Sequence, residues 1–277
     1  MLPIFYINLD KRHDRNLQLK NQLNNLKLDA QRISAIDGSK LTLLEREFVN
    51  EHNFLLTMKR PIRDGEIGCA ASHRSIWQQI VDNDLNYALV LEDDAVIDKK
   101  ILTLLNHSQF YQQFDLINLS SNSPYNPNDE TIKTLLQDEN SVKRSKMNQQ
   151  IWQQLDWQGK WKIYELDRLS DDIIVCTCSL PPALTSGYLV SKKAAQNFLL
   201  ASSNMHYPID YVWRYCGGYL KLGFLSKSLI VQADEVVSDI SGRNEIYQLS
   251  MKQKLQRMLL KHRKNIRSEQ IKQMYDV

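Results

Sequence analysis

No stretch of the 277-residue chain approaches the roughly 20 uninterrupted apolar residues that a membrane-spanning helix needs. The start, Met1-Leu-Pro-Ile-Phe-Tyr-Ile-Asn-Leu-Asp10, lacks the basic lead and small-residue cleavage site of a secretory signal, so the expectation is a chain that stays in the cytoplasm. The four cysteines, Cys69, Cys176, Cys178 and Cys216, show no CxxC spacing, and in a reducing compartment neither disulfides nor a zinc site is expected. Cys176 and Cys178, as alternate residues of a strand, would point the same way without forming a bridge. No internal repeat is present. Nor is positive charge spread along the chain: the formal net charge of +3 hides eight Lys/Arg against Glu269 and Asp276 in residues 251–277, and the remainder is slightly acidic. An acidic body with a basic tail is not built to track phosphates along a groove, which argues against a nucleic-acid partner.

What is present suffices for a full core, with 43% hydrophobic and 24% charged residues. The apolar run Pro3 to Leu9 predicts a strand, followed by a charged turn and a helix to about Leu26. Arg32 to Ile36 reads as a second strand, and about Thr42 to Leu56 as a helix. The segment from Arg63 to Ser72 reads as a glycine-punctuated loop entering a helix that Ser72 caps, with Ile76, Trp77, Ile80 and Val81 on one face. Tyr87 to Leu91 and Phe114 to Leu119 are strands buried on both faces. From about Ser120 to Asp172 no period is sustained, which predicts a long elaboration, partly helical. Regularity returns with a strand at Thr185 to Val190, helices over Ser191 to Ser202 and around Asp210 to Tyr215, and strands at Leu222 to Leu225 and Leu229 to Gln232. Alternating strands and helices argue for an α/β fold with a mostly parallel central sheet flanked by helices, in which ligands gather beyond the carboxyl ends of the strands. The expected organisation is one domain over 1–250, elaborated at about 120–175, and a basic tail over 251–277.

The sharpest chemical feature is Ala88-Leu-Val-Leu-Glu92-Asp93-Asp94-Ala95, because a buried strand has no structural use for three adjacent carboxylates at its end. Strand alternation would send Glu92 and Asp94 to one side and Asp93 to the other, so that Glu92 and Asp94 could share a hard divalent ion through oxygen ligands. A solvated acidic turn is the alternative. Gly65 and Gly68, with Ser72 and His73, stand just before a helix, where free N–H groups favour anions, although an ordinary helix-entry loop and a structural histidine explain the same residues. At the front, Asn8, Asp10, Arg12 and Arg15 lie where the first strand opens into its helix, a place suited to a base, ribose or phosphate; surface ion pairs are the other use of the two arginines.

These segments together resemble glycosyltransferase family 25, which includes bacterial lipooligosaccharide galactosyltransferases and the catalytic region of procollagen galactosyltransferases. The resemblance rests on Phe5-Tyr-Ile-Asn-Leu-Asp10 with Arg12 and Asp14-Arg15, Ala35-Ile-Asp-Gly38, Gly65-Glu-Ile-Gly-Cys69 with Ser72-His73, and Ala88-Leu-Val-Leu-Glu-Asp-Asp94. It continues in Ser186-Gly-Tyr-Leu-Val190, Lys192, Ala194-Ala195, Pro208-Ile-Asp210, Gln232 and Ser238-Asp-Ile240, in family order. It implies a Rossmann-like nucleotide-sugar glycosyltransferase fold of the A type, a UDP-sugar donor, Mn²⁺ or Mg²⁺ at Glu92 and Asp94, and donor contacts that include Asp93 and Gln232. Family members are thought to invert the anomeric centre, which requires a base outside the metal cluster. Asp210 is the first choice, with Tyr211 and Trp213 to stack on a sugar; Glu66 and Asp239 follow.

The expected reaction is transfer of a hexose, galactose by resemblance, to a saccharide acceptor of lipooligosaccharide or lipopolysaccharide biosynthesis. A sugar-nucleotide hydrolase and an inactive carbohydrate-binding relative are the rival readings. In the tail, Met251, Leu255, Met258, Leu259 and Ile266 are expected on one face of a helix, with Lys254, Arg257, Lys261, Lys264 and Arg267 off it. Such a helix can rest on the anionic inner face of the inner membrane beside a lipid-linked oligosaccharide acceptor, or pack back on the body.

Overall fold

A computed structural model describes residues 2–121, 129–137, 139–156, 162–233, 247–260 and 262–275. The apolar run near the start forms β1 (Ile4–Asn8), followed by α1 (His13–Asn25) and β2 (Gln31–Ser34). The predicted helix at 42–56 starts later, as α2 (Glu51–Met58), because Val49 bridges Met205 and Asn50 then caps the helix by accepting from the Asn53 N–H at 2.9 Å. A larger correction concerns α3, which spans Asp64–Asp82. The predicted entry loop is helix, so Gly65 and Gly68 lie in its first turns and Ser72 is not its cap. Glu66 caps it instead, accepting from the Arg63 N–H at 3.1 Å. The glycine at 68 serves close approach: a Cβ there would sit 2.3 Å from the Ile36 carbonyl oxygen, and one at Gly38 would sit 1.9 Å from that of Asp64. Helix and the segment after β2 therefore meet backbone to backbone.

The chain continues through β3 (Tyr87–Glu92), β4 (Ala95–Ile97), α4 (Ile101–Leu105), α5 (Ser108–Tyr111) and β5 (Leu116–Asn118). The region that lacks sequence periodicity holds α6 (Asp129–Leu135), β6 (Ser141–Lys143), α7 (Gln149–Leu155) and a long hairpin of β7 (Ile163–Ser170) and β8 (Ile173–Cys178). Cys176 and Cys178 are free and buried on β8, as alternation on one strand predicts. Then come β9 (Gly187–Ser191), α8 (Lys192–Ala201) capped by Ser191, a 3-10 helix over Ile209–Arg214, β10 (Leu222–Leu225) and β11 (Ile230–Gln232). The tail forms α9 (Met251–Leu260) and α10 (His262–Tyr275). No helix among the described residues is long and apolar enough to cross a membrane.

Nine strands form one sheet in the order β2-β1-β3-β9-β5-β10-β8-β7-β6, and β4 pairs separately with β11. The sheet is mixed. Pairing is parallel for β2/β1, β1/β3 and β5/β10, whereas β9 runs against both neighbours and β8, β7 and β6 extend the sheet antiparallel. The antiparallel arm grows from the unpredicted hairpin. On β3, Ala88 and Val90 enter the core that contains Trp77, Phe198 and Trp213, while Leu89 and Leu91 enter the one that contains Leu19, Leu104 and Phe114. Such two-sided burial is why β1 and β3 are nearly continuous apolar runs.

β1, β2 and β3 point their carboxyl ends at one edge of the sheet. Because β9 is reversed, its leading residues Thr185 and Ser186 arrive at the same edge. Asn118, at the end of β5, holds that approach by donating to the carbonyls of Pro182 (3.0 Å) and Leu184 (2.8 Å).

Candidate active site

A cleft of about 580 Å³ opens at this edge. β3 ends at Glu92, and Asp93 and Asp94 turn the chain into β4. The predicted alternation therefore stops at Glu92, and all three carboxylates line the cleft.

Each acid is held differently. Glu92 meets His73 Nε2 at 3.1 Å, and His73 Nδ1 meets the Tyr188 hydroxyl at 2.8 Å, which accepts from Trp77 Nε1 at 3.0 Å. With Glu92 ionised and His73 neutral, Nε2 carries the proton and Nδ1 accepts from Tyr188. Trp77, Tyr188 and His73 thus form one donor chain aimed at Glu92. All three rings are fully buried, and burial pushes the Tyr188 phenol well above its ordinary value. Asp93 accepts from Asn8 Nδ2 at 2.8 Å and pairs with Arg15 Nη1 at 3.3 Å. Sequence alone offers no nearby cation for the cluster; Arg15 supplies one from α1.

Asp94 is the exception. Its Oδ2 accepts from Gln232 Nε2 at 2.6 Å, an approach set by the pairing of β4 with β11, but its buried Oδ1 has no hydrogen-bond partner among the described residues. Burial, then repulsion from Glu92, raises its carboxyl to about 6. An orphaned carboxylate oxygen beside two further acids is the donor set of a hard divalent cation, so Glu92 and Asp94 fit Mn²⁺ or Mg²⁺. Cys69 Sγ, a His73 ring nitrogen and a Glu92 oxygen also lie within 4.8 Å of one another. That mixed set suits a softer metal, and His73 is already engaged at both nitrogens, so the oxygen cluster is the better site for either hard ion.

The opposite wall comes from Asp37, Gly38 and Ser39 and from the start of α3, where Gly65 and Glu66 line the cleft. Glu66 is buried in a two-pronged pair with Arg60, at 2.7 and 2.6 Å. Both of its oxygens are engaged, by the guanidinium and by the helix cap, which gives the residue expected as a second base a structural use. Ser72 also lines the cleft, but its hydroxyl stitches α3 to β2's exit, donating to the Gly68 carbonyl (2.7 Å) and accepting from the Ile36 N–H (2.8 Å). Asp210 lies in the first turn of the 3-10 helix and lines the cleft with Tyr211. Trp213 does not: it is a core residue that donates to the Pro182 carbonyl at 3.1 Å and packs on Tyr188.

The expected set thus divides. Arg15, Gly65, Glu66, Ser72, His73, Glu92, Asp93, Asp94, Asp210 and Gln232 share the cleft. Asn8 is buried behind it as the support of Asp93. Asp10 is exposed and bound to Arg32 and Ser34, Arg12 pairs with Asp14, and Gly68 is a packing glycine. Asp239, with Ser238 and Ile240, lies outside the described residues. Arg60, Thr185 and Ser186 line the cleft without having been singled out as site residues; only the paired arrangement of Arg60 with Glu66, six residues on, could have signalled the first.

Comparison with known proteins bears on the family. The profile of a family described as "Glycosyltransferase family 25 (LPS biosynthesis protein)" matches residues 1–213. Human procollagen galactosyltransferase 2 is 33% identical over 113 residues, 38% of this chain and 18% of its own length. A glycosyltransferase 25 family member of Drosophila melanogaster is 32% identical over 123 residues, 41% and 20% of the two chains. Procollagen galactosyltransferase 1 of Danio rerio is 33% identical over 125 residues, 40% and 20%. The matched stretch spans about a fifth of the length of each of these relatives.

Proposed function

The chain belongs to glycosyltransferase family 25, and from that premise we propose that its cleft carries out an inverting hexosyl transfer from a UDP-sugar, with galactose the favoured sugar, to a saccharide acceptor. The observation that carries the proposal is the buried Asp94 with its unpartnered Oδ1, set between Glu92 and Gln232 at the carboxyl end of a central strand. Held by Glu92 and Asp94, Mn²⁺ or Mg²⁺ would neutralise the charge that builds on the departing nucleoside diphosphate. Asn8 and Arg15 hold Asp93 in place, and the Trp77–Tyr188–His73 chain holds Glu92, so these carboxylates need little rearrangement when the donor arrives. Asp210 takes the proton of the acceptor hydroxyl, and Tyr211 offers its ring to a sugar face.

Residues 1–250 are read as the transferase domain and 251–277 as an appended helical segment. The proposed setting is the cytoplasm, and the proposed acceptor a lipid-linked oligosaccharide of lipooligosaccharide or lipopolysaccharide assembly, in keeping with the family's description. The test is release of UDP from a panel of UDP-sugars, with Mn²⁺ present or chelated and with acceptor present or withheld. Transfer needs both; UDP release at equal rate without acceptor identifies a hydrolase, and binding without release identifies a lectin-like relative. Asp210→Asn is expected to keep donor binding and lower turnover by about 10²- to 10⁴-fold.

A further inference from the structure

The two tail helices bury opposite kinds of surface. α10 is anchored: Arg267, expected in solvent, is almost wholly buried and donates to the carbonyls of Gly218 (3.0 Å) and Leu220 (2.9 Å), Ile271 is buried, and Tyr275 stacks on Tyr164. Five donors on a planar guanidinium explain how an arginine fills such a slot. α9 is inverted. It packs on α2 through its polar side, where Gln253, Gln256 and Arg257 are half-buried and Arg257 donates to the Thr57 carbonyl at 3.3 Å. Leu260 is half-buried on that same inward side, but the other four apolar residues face outward: Met251 is 75% exposed, Leu255 64%, Met258 65% and Leu259 78%. Their spacing of four, three and one puts them on a single stripe, and the exposed Lys252 and Lys254 fall on its two flanks.

We propose that this outward face of α9 is a docking surface for an anionic membrane. A helix that turns its glutamines inward and four large apolar side chains to solvent gains nothing from the body for that stripe, whereas an acyl boundary covers it. The charge pattern selects the occupant. From Ser250 the first acid in the sequence is Glu269, with Lys252, Lys254, Arg257, Lys261, Arg263, Lys264 and Arg267 before it. A second copy of the chain, packed on this stripe about a two-fold axis, would bring lysine flank against lysine flank. An acidic headgroup layer complements both flanks at once.

The surface also has a place relative to the cleft. α9 rests on α2, whose final residue Met58 and nearby Arg60 line the cleft, and the Tyr247 N–H donates to the Lys59 carbonyl between them. A membrane seated on α9 is one helix away from the cleft, where a lipid-linked acceptor would be presented. That last step rests on the transferase reading; the docking surface itself does not.

The test is flotation of the full chain with vesicles of phosphatidylcholine containing about 30% phosphatidylglycerol, against pure phosphatidylcholine, at low salt. The wild-type chain is expected to float with the anionic vesicles, and the triple variant Leu255→Ser, Met258→Ser, Leu259→Ser to lose more than about tenfold in partition. Lys252→Glu with Lys254→Glu is expected to lose at least about fivefold per position, with an unchanged thermal melt in both variants. Wild-type flotation that both variants match, or no flotation of the wild type, overturns the proposal. So does a wild-type dimer by light scattering that the triple variant converts to monomer without any vesicle binding, which would make the stripe a subunit seam. Turnover on a soluble acceptor, measured on the same samples, separates failure of this surface from failure of the transferase assignment.

Discussion

Two close pairs of acids, one on β7 and one at the end of β3, are treated differently in this protein. On β7, Glu165 and Asp167 lie under Lys221, whose Nζ reaches them at 2.8 and 3.1 Å and sits over the Phe114 ring. At the end of β3, Glu92 and Asp94 flank a residue that has an arginine, yet Asp94 keeps a buried oxygen with no partner. Burial raises the carboxyl of both Asp167 and Asp94. In the arm, a lysine of the same fold opposes that rise. In the cleft, Gln232 and Arg15 oppose the rise only in part, and on the proposed reading a bound metal completes the compensation, which would distinguish an acid kept for structure from one kept for a ligand.

The comparison sharpens most if the two sites fail differently. Asp94→Ala is expected to cost on the order of 10³-fold or more in transfer, without lowering the metal-free melting temperature, because a metal's charge stabilisation is worth several kcal/mol. Activity assays with calorimetry check it, and near wild-type turnover would reduce the cleft acid to the status of the arm's. Lys221→Met should do the reverse, removing about 3–5 kcal/mol of stability by leaving two buried carboxylates unpaired, as read by urea unfolding near neutral pH. A smaller loss in mildly acid buffer, towards which burial raises the Asp167 carboxyl, belongs to the same expectation.

The next effect has the opposite sign. The folded-state value of Asp94, about 6, stands above that of an ordinary aspartate, so ionising it costs the folded chain more than the unfolded one. The contribution of Asp94 to metal-free stability is then undiminished below about pH 4 and falls as pH rises through 6. Asp94→Asn removes that titration. The metal-free variant should be more stable than wild type by up to about 3 kcal/mol near neutral pH, a gain that vanishes by about pH 4, and should lose the Mn²⁺-dependent rise in melting temperature. A stability difference between wild type and Asp94→Asn that does not change between those pH values would break the comparison. Smallest is Tyr188→Phe, which strips the partner from Trp77 Nε1 and His73 Nδ1. A cost of about 1–3 kcal/mol is expected, together with weaker Mn²⁺ activation as Glu92 loses its fixed neighbour, read from unfolding curves and metal titrations.

The legible parts of the sequence were those where a single local rule operated. β1 and β3 could be found because strands buried on both faces are continuous apolar runs, and the acidic end of β3 was conspicuous against one. The β7–β8 hairpin was not found, although Ser170-Asp171-Asp172 is a fair turn between two strand-like runs. Glu165 and Asp167 are acids on a face of β7 that is buried, Arg168 breaks the alternation, and the lysine that accounts for the two acids is more than fifty residues away. α3 was entered late because Gly65 and Gly68 resemble a loop until the segment from Ile36 to Gly38 is packed against Gly68.

By itself the sequence determined where the central strands lie, that three acids close one of them, and that a basic apolar segment ends the chain. These are local patterns of hydrophobicity and charge, readable without knowing what faces them. Only the tertiary structure decided which acid each partner reaches: Arg15 and Asn8 reach Asp93, His73 reaches Glu92, Arg60 takes Glu66 out of use, and Asp94 is left with a free oxygen. It also decided that α10 folds inward while α9 turns its apolar stripe outward. Hydrogen bonds and ion pairs act over about 3 Å, so their partners are set by strand order and helix packing rather than by distance along the chain.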